Sequence, residues 1–155
     1  MRALRTTTLA ALTSLLWACG GDSATGPNYE SIAGSYSGPV VGLSQGVGLD
    51  ATISFTLAQS AGSLSGTWAM SGSATDGFTT VGISGTGTLS GTIASGGNPS
   101  VNISVFVPGC SAYRSDFSGV YDVANRKITV TGAIDLLNND CSIFRRYQGT
   151  LIITR

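Results

Sequence analysis

The chain has 155 residues, 10% of them charged, with 8 basic and 8 acidic side chains and no histidine. Ordinary soluble proteins carry about 25% charged residues, so Gly, Ser and Thr supply the polar half of this sequence. A neutral, hydroxyl-rich surface without a clustered basic face excludes a nucleic-acid partner.

The N-terminus carries Arg2 and Arg5, then an apolar run from Leu9 to Trp17, then the small residue Ala18 and Cys19. A charged start, a short apolar stretch and a small residue at the cut describe a secretory signal. A membrane-spanning helix needs about 20 apolar residues, more than this run offers. Leu16-Trp17-Ala18-Cys19 resembles the lipobox of bacterial lipoproteins, with Trp17 where a smaller residue is usual. The resemblance implies that Cys19 is lipidated and becomes the new N-terminus. Several fatty-acyl chains such as palmitate would then hold the protein firmly on a membrane, each buried methylene contributing about 0.8 kcal/mol. Gly20 follows the cysteine where an aspartate would signal retention at the inner membrane, so the family's rule implies the outer membrane, facing the periplasm. The chain thus divides into a signal peptide (1–18), a lipid-anchored flexible tether (19–30) and one domain (31–155). Removing residues 1–18, Arg2 and Arg5 among them, leaves 137 residues with a formal charge of −2, enough for a single core.

From residue 31 onward the pattern has period two. Ala51, Ile53, Phe55 and Leu57 alternate with Thr52, Ser54 and Thr56; Leu64, Gly66, Trp68 and Met70 alternate with Ser65, Thr67 and Ser71. The same holds for Val101 to Val107, Ile128 to Ile134 and Tyr147 to Ile153. Alternation rich in β-branched and aromatic residues marks half-buried antiparallel strands. Turn-forming Gly, Asn, Asp and Ser fall between the runs. The pattern predicts eight strands, at 31–43, 50–60, 63–72, 78–91, 99–107, 115–123, 127–137 and 145–154. Consecutive runs with short turns predict an all-β fold: one eight-stranded antiparallel up-and-down meander closed into a barrel. A β-sandwich is the alternative that patterning leaves open. A weak internal echo, Leu-Ser-Gly-Thr at Leu64 and at Leu89, Phe-Ser-Gly-Val at Phe117 and Tyr-Gln-Gly-Thr at Tyr147, puts glycines inside strands, where strong coiling uses them.

Cys110 and Cys141 fall in the fifth and seventh connections, and alternate connections of a meander lie at one end. Free thiols and half a metal site are the alternatives. With no histidine and no Cys-x-x-Cys spacing, a disulfide in an oxidising compartment is expected, contributing about 3.5 kcal/mol.

No catalytic residue, metal ligand or cofactor site is expected, and the chain reads as a non-enzyme. There is no histidine base and no Gly-x-Ser-x-Gly elbow. Asp50, Asp76 and Asp140 sit in turns, and Asp122 and Asp135 are expected on solvated strand faces. Arg114, Arg145 and Arg146 are expected to gather near the cysteines as a solvated rim or a small anion-attracting mouth.

Eight strands opening on Gly34-Ser35-Tyr36 resemble the lipocalin and avidin superfamilies, with Tyr36 where lipocalins usually carry tryptophan. That resemblance implies a ligand inside the barrel, and a helix against it that the pattern here does not supply. Eight-stranded barrels are just wide enough for side chains or one small ligand. Tyr36, Phe55, Trp68 and Tyr121 are therefore the expected lining for a small apolar or amphipathic ligand, with Gly34, Gly66, Gly119, Gly132 and Gly149 leaving room. The alternative is a structural or interaction module of the cell envelope with a filled core. Oligomeric state is not legible.

Overall fold

The computed structural model describes residues 26–44, 47–75 and 78–155. The expected signal peptide, Cys19 and most of the expected tether lie outside the described residues. Eight strands follow one another: β1 (Gly34–Ser44), β2 (Val47–Ser60), β3 (Ser63–Thr75), β4 (Thr80–Ile93), β5 (Ser100–Phe106), β6 (Ser115–Asp122), β7 (Lys127–Leu137) and β8 (Ile143–Thr154). Each pairs antiparallel with its chain neighbour, and β1 pairs with β8 through contacts such as Val40 with Leu151. The sheet is therefore a closed up-and-down barrel, consistent with a lipocalin-like barrel, and the sandwich alternative falls. No helix occurs among the described residues.

Closure follows from the alternation. Tyr36, Val40, Ile53, Phe55, Leu64, Trp68, Ile103, Phe117, Tyr121, Ile128, Tyr147 and Leu151 all turn inward into one continuous core, while the Ser and Thr between them face out. Six of the eight strands place a glycine between two buried large residues on the inner face. The triplets are Tyr36-Gly38-Val40, Leu64-Gly66-Trp68, Leu89-Gly91-Ile93, Phe117-Gly119-Tyr121, Val130-Gly132-Ile134 and Tyr147-Gly149-Leu151. At Gly38, Gly66 and Gly119 a Cβ would fall on the carbonyl oxygen of Ile152, Thr56 and Thr129 of the adjoining strand. The missing side chain lets neighbouring backbones close in where the sheet coils most tightly.

Residues 31–33 depart from the strand expected there. They leave the wall and cross the barrel floor, the end that holds the β2–β3, β4–β5 and β6–β7 turns. Ile32 is 0% exposed. Its N–H donates to Gln59 Oε1 at 2.8 Å, and its carbonyl accepts the Tyr36 hydroxyl at 2.8 Å. Gln59 Nε2 also donates to Glu30 O at 3.0 Å, and Tyr29 packs on Gly62, so the end of the expected tether already touches the barrel. The floor is plugged by the chain's own N-terminal segment.

The opposite end differs. β2 to β4 are long, 13 or 14 residues each, whereas β5 has 7 and β6 has 8. β5 pairs with β4 only over Thr88–Ile93, and β6 pairs with β7 only as far as Gly132. The wall is thus notched between Thr80–Gly87 of β4 and Ala133–Leu137 of β7, and the 107–114 connection lies in the notch.

Candidate functional site

Cys110 in the 107–114 connection and Cys141 in the β7–β8 connection are disulfide-bonded, with Sγ atoms 2.02 Å and Cα atoms 5.5 Å apart. The parity of a meander had placed them at one end, and the bond defines that end. Two successive turns shape the connection, with Cys110 N donating to Val107 O at 3.1 Å and Tyr113 N to Cys110 O at 2.9 Å.

Beneath it lies an apolar cavity of about 40 Å³, walled by Ile53, Trp68, Met70, Val105 and Phe117 from the strands and by Val107 and Tyr113 from the connection. A water needs roughly 10–15 Å³ on this measure, whereas small-molecule pockets span about 300–1,000 Å³. The cavity therefore admits little more than water. Its polar rim consists of Tyr113, Ser115 and Asp135.

The four aromatics expected to line a ligand are all buried on the inner face, but they are not gathered around one space. Tyr36 and Tyr121 serve the floor: Tyr36 holds Ile32, and the Tyr121 hydroxyl reaches Ser31 O at 3.5 Å. Phe55 pairs across from Trp68 deep in the core. Trp68 alone of the four lines the cavity, and its Nε1 donates to Phe106 O at 3.0 Å. Room expected at Gly34, Gly66, Gly119 and Gly132 is occupied, at Gly66 and Gly119 by the backbone of Thr56 and Thr129. The Trp68 ring lies over Gly85 and Gly87, the Phe117 ring over Gly132, and the Arg155 guanidinium over Gly34.

Asp135 requires a correction. It points outward in the strand pattern, as expected, but its side chain is only 1% exposed. Arg146, directly opposite on β8, grips both oxygens, Nε at 2.8 Å and Nη2 at 2.9 Å. Burial, and secondly the negative charge of Asp135, push the Tyr113 phenol up to about 12. The connection folded over the notch causes this burial, which no local pattern on β7 could signal.

The three arginines do gather at this end. Arg114 Nε binds Asp116 at 2.7 and 3.0 Å and holds its carboxyl below the usual carboxylate range, with help from Ser104. Arg145 lies 5.8 Å over the Phe144 ring. Two of the three guanidiniums are neutralised by carboxylates, which weakens the anion-attracting reading. Phe78 (99% exposed), in the β3–β4 connection, and Phe144 (64%), the second residue of β8, stand at this same end. Two larger depressions on the outer wall of β2–β4, about 440 and 460 Å³, are open to solvent and lined mainly by Ser, Thr and Ala.

Among the described residues no three carboxylate or thiol groups come together as a metal cage. One buried side-chain polar atom among them lacks a hydrogen-bond partner, the Tyr147 hydroxyl. Comparison with known protein families, with curated proteins and with solved structures yields no match.

Proposed function

We propose that this chain is an exported bacterial lipoprotein, anchored through Cys19, whose barrel is a non-enzymatic interaction module of the cell envelope. The observation that carries the reading is the filled interior. Tyr36, Phe55, Tyr147 and the rings over the glycines occupy the space a carrier would keep open, leaving about 40 Å³. Function then belongs to the outer surface.

The disulfide supports export, since such bonds persist in oxidising compartments. An anchor at Cys19 would draw the floor toward the membrane, because the N-terminal segment reaches the barrel there. The disulfide end, with Phe78 and Phe144, would face away from that membrane and be the face offered to a partner.

Native mass spectrometry of the lipidated protein, released from envelopes in mild detergent, tests the reading. The expected mass is the acylated chain from Cys19 alone. A stoichiometric small-molecule adduct that survives gentle release would replace the module with a carrier, and an unacylated chain would remove the anchor.

A further inference from the structure

The notch, the short cavity and the disulfide belong to one arrangement. The cavity wall is strand on every side except at the notch, where Val107 and Tyr113 complete it from the 107–114 connection. That connection is not part of the sheet. It is held to the β7 side of the notch by Cys110–Cys141 and by packing of Tyr113 beside Asp135. On the β4 side its neighbour Phe106 accepts the Trp68 indole hydrogen bond. Cys141 holds a φ of 65°, a left-handed conformation that L side chains disfavour, so the latch closes on a strained backbone. Both cysteines are partly exposed and within reach of a reagent.

We propose that the 107–114 connection is a disulfide-latched gate over a lateral portal, and that its release opens the Trp68 cavity to a small uncharged apolar ligand. The release is a two-electron exchange. A dithiol reductant attacks one sulfur of Cys110–Cys141 through a mixed disulfide, its own sulfurs close to a disulfide, and Cys110 and Cys141 leave as two thiols. Freed from Cys141, the segment keeps the packing of Val107 and Tyr113 and, through the adjoining Phe106 of β5, one indole hydrogen bond. Swinging out removes Val107 and Tyr113 from the lining and leaves Val105, Phe117, Met70 and Trp68 facing the opening. The ligand class follows from that lining, which is apolar, while the one buried carboxylate at the rim is already satisfied by Arg146. The closed form agrees with the filled-interior reading, and the gate goes beyond it.

The test uses the full lipidated chain carrying Trp17→Phe, so that Trp68 is the sole tryptophan whether or not the leader is removed. Acrylamide quenching of Trp68 is measured before and after dithiothreitol, with far-UV circular dichroism as the check on the barrel. Quenching is expected to rise severalfold on reduction with the β-sheet signal unchanged, and benzene should then raise the melting temperature of the reduced form only. Tyr113→Ala with the disulfide intact should raise quenching without reductant. Equal quenching in both redox states, or loss of the β-sheet signal on reduction, overturns the gate and makes the bond a plain staple. Increased quenching without any benzene effect overturns the ligand site.

Discussion

Ile32→Ala is the most direct test of the plugged floor. The side chain is fully buried although it lies outside every strand, so its contribution comes from packing alone. Truncation removes three carbon groups, about 2.4 kcal/mol at ~0.8 kcal/mol each. The cavity left beneath Tyr36 adds to this, because the Gln59 and Tyr36 hydrogen bonds hold the Ile32 backbone in place and limit collapse. Buried isoleucine truncations cost about 2–5 kcal/mol, and about 3.5 kcal/mol is expected here. With a urea m-value near ~2 kcal/mol/M, the midpoint should fall by about 1.7 M at unchanged m. Equilibrium urea unfolding followed by circular dichroism reads this directly. A loss below about 1 kcal/mol would mean that 31–33 is detached from the barrel in solution, and the plug reading would be wrong.

Other expectations follow from named contacts. Tyr147→Phe removes the unpartnered buried hydroxyl and should leave stability unchanged or raise it by about 1 kcal/mol in the same urea assay, since an unsatisfied polar group costs about 1–3 kcal/mol. A clear loss would show that the hydroxyl holds a buried water. Gly66→Ala, which drives a Cβ into the Thr56 carbonyl, should cost about 2 kcal/mol or more; a neutral result would deny the close approach of β2 and β3. Burial raises Tyr113 to about 12 and raises Tyr36 as well. A raised folded-state value means the stabilisation is complete below about pH 10, the unfolded value, and declines as pH climbs from there toward about pH 12. Thermal melts across that window should therefore show an alkaline loss that shrinks in Tyr113→Phe; an identical loss in that variant would show that Tyr113 is not buried.

The parts of the fold that were legible in the sequence are those set by neighbours along the chain. Period-two runs such as Ile128 to Ile134 encode which face is buried, and eight of them with short turns leave few topologies. Cys110 and Cys141 added a parity argument that needs only the order of the strands. The plug, by contrast, rests on Gln59, 27 residues beyond Ile32, and nothing in Ser31-Ile32-Ala33 separates an inward turn from a strand's first residues. Asp135 sits on the outward face that the pattern gave it, and is buried where Arg146 of β8 grips it and Tyr113, some 20 residues earlier in the chain, packs beside it. The candidate site was legible in composition and not in place, since four aromatics on inner faces say nothing about which level of the barrel each one fills.

The glycines show why composition misled about room. A glycine on the inner face of a strand can leave a hole or let something approach, and the sequence is the same in both cases. Tight coiling decides between them. Around the closed sheet adjoining backbones meet at the glycines, at Gly38 between β1 and β8, at Gly66 between β2 and β3 and at Gly119 between β6 and β7. Large residues also lie over such gaps, as Trp68 covers Gly85 and Gly87. The mismatch in strand length between β4 and β5 and between β6 and β7 cuts the notch. The short β5 and β6 leave the wall to be completed by the 107–114 connection, which is why the small cavity beside Trp68 and the disulfide occupy the same end.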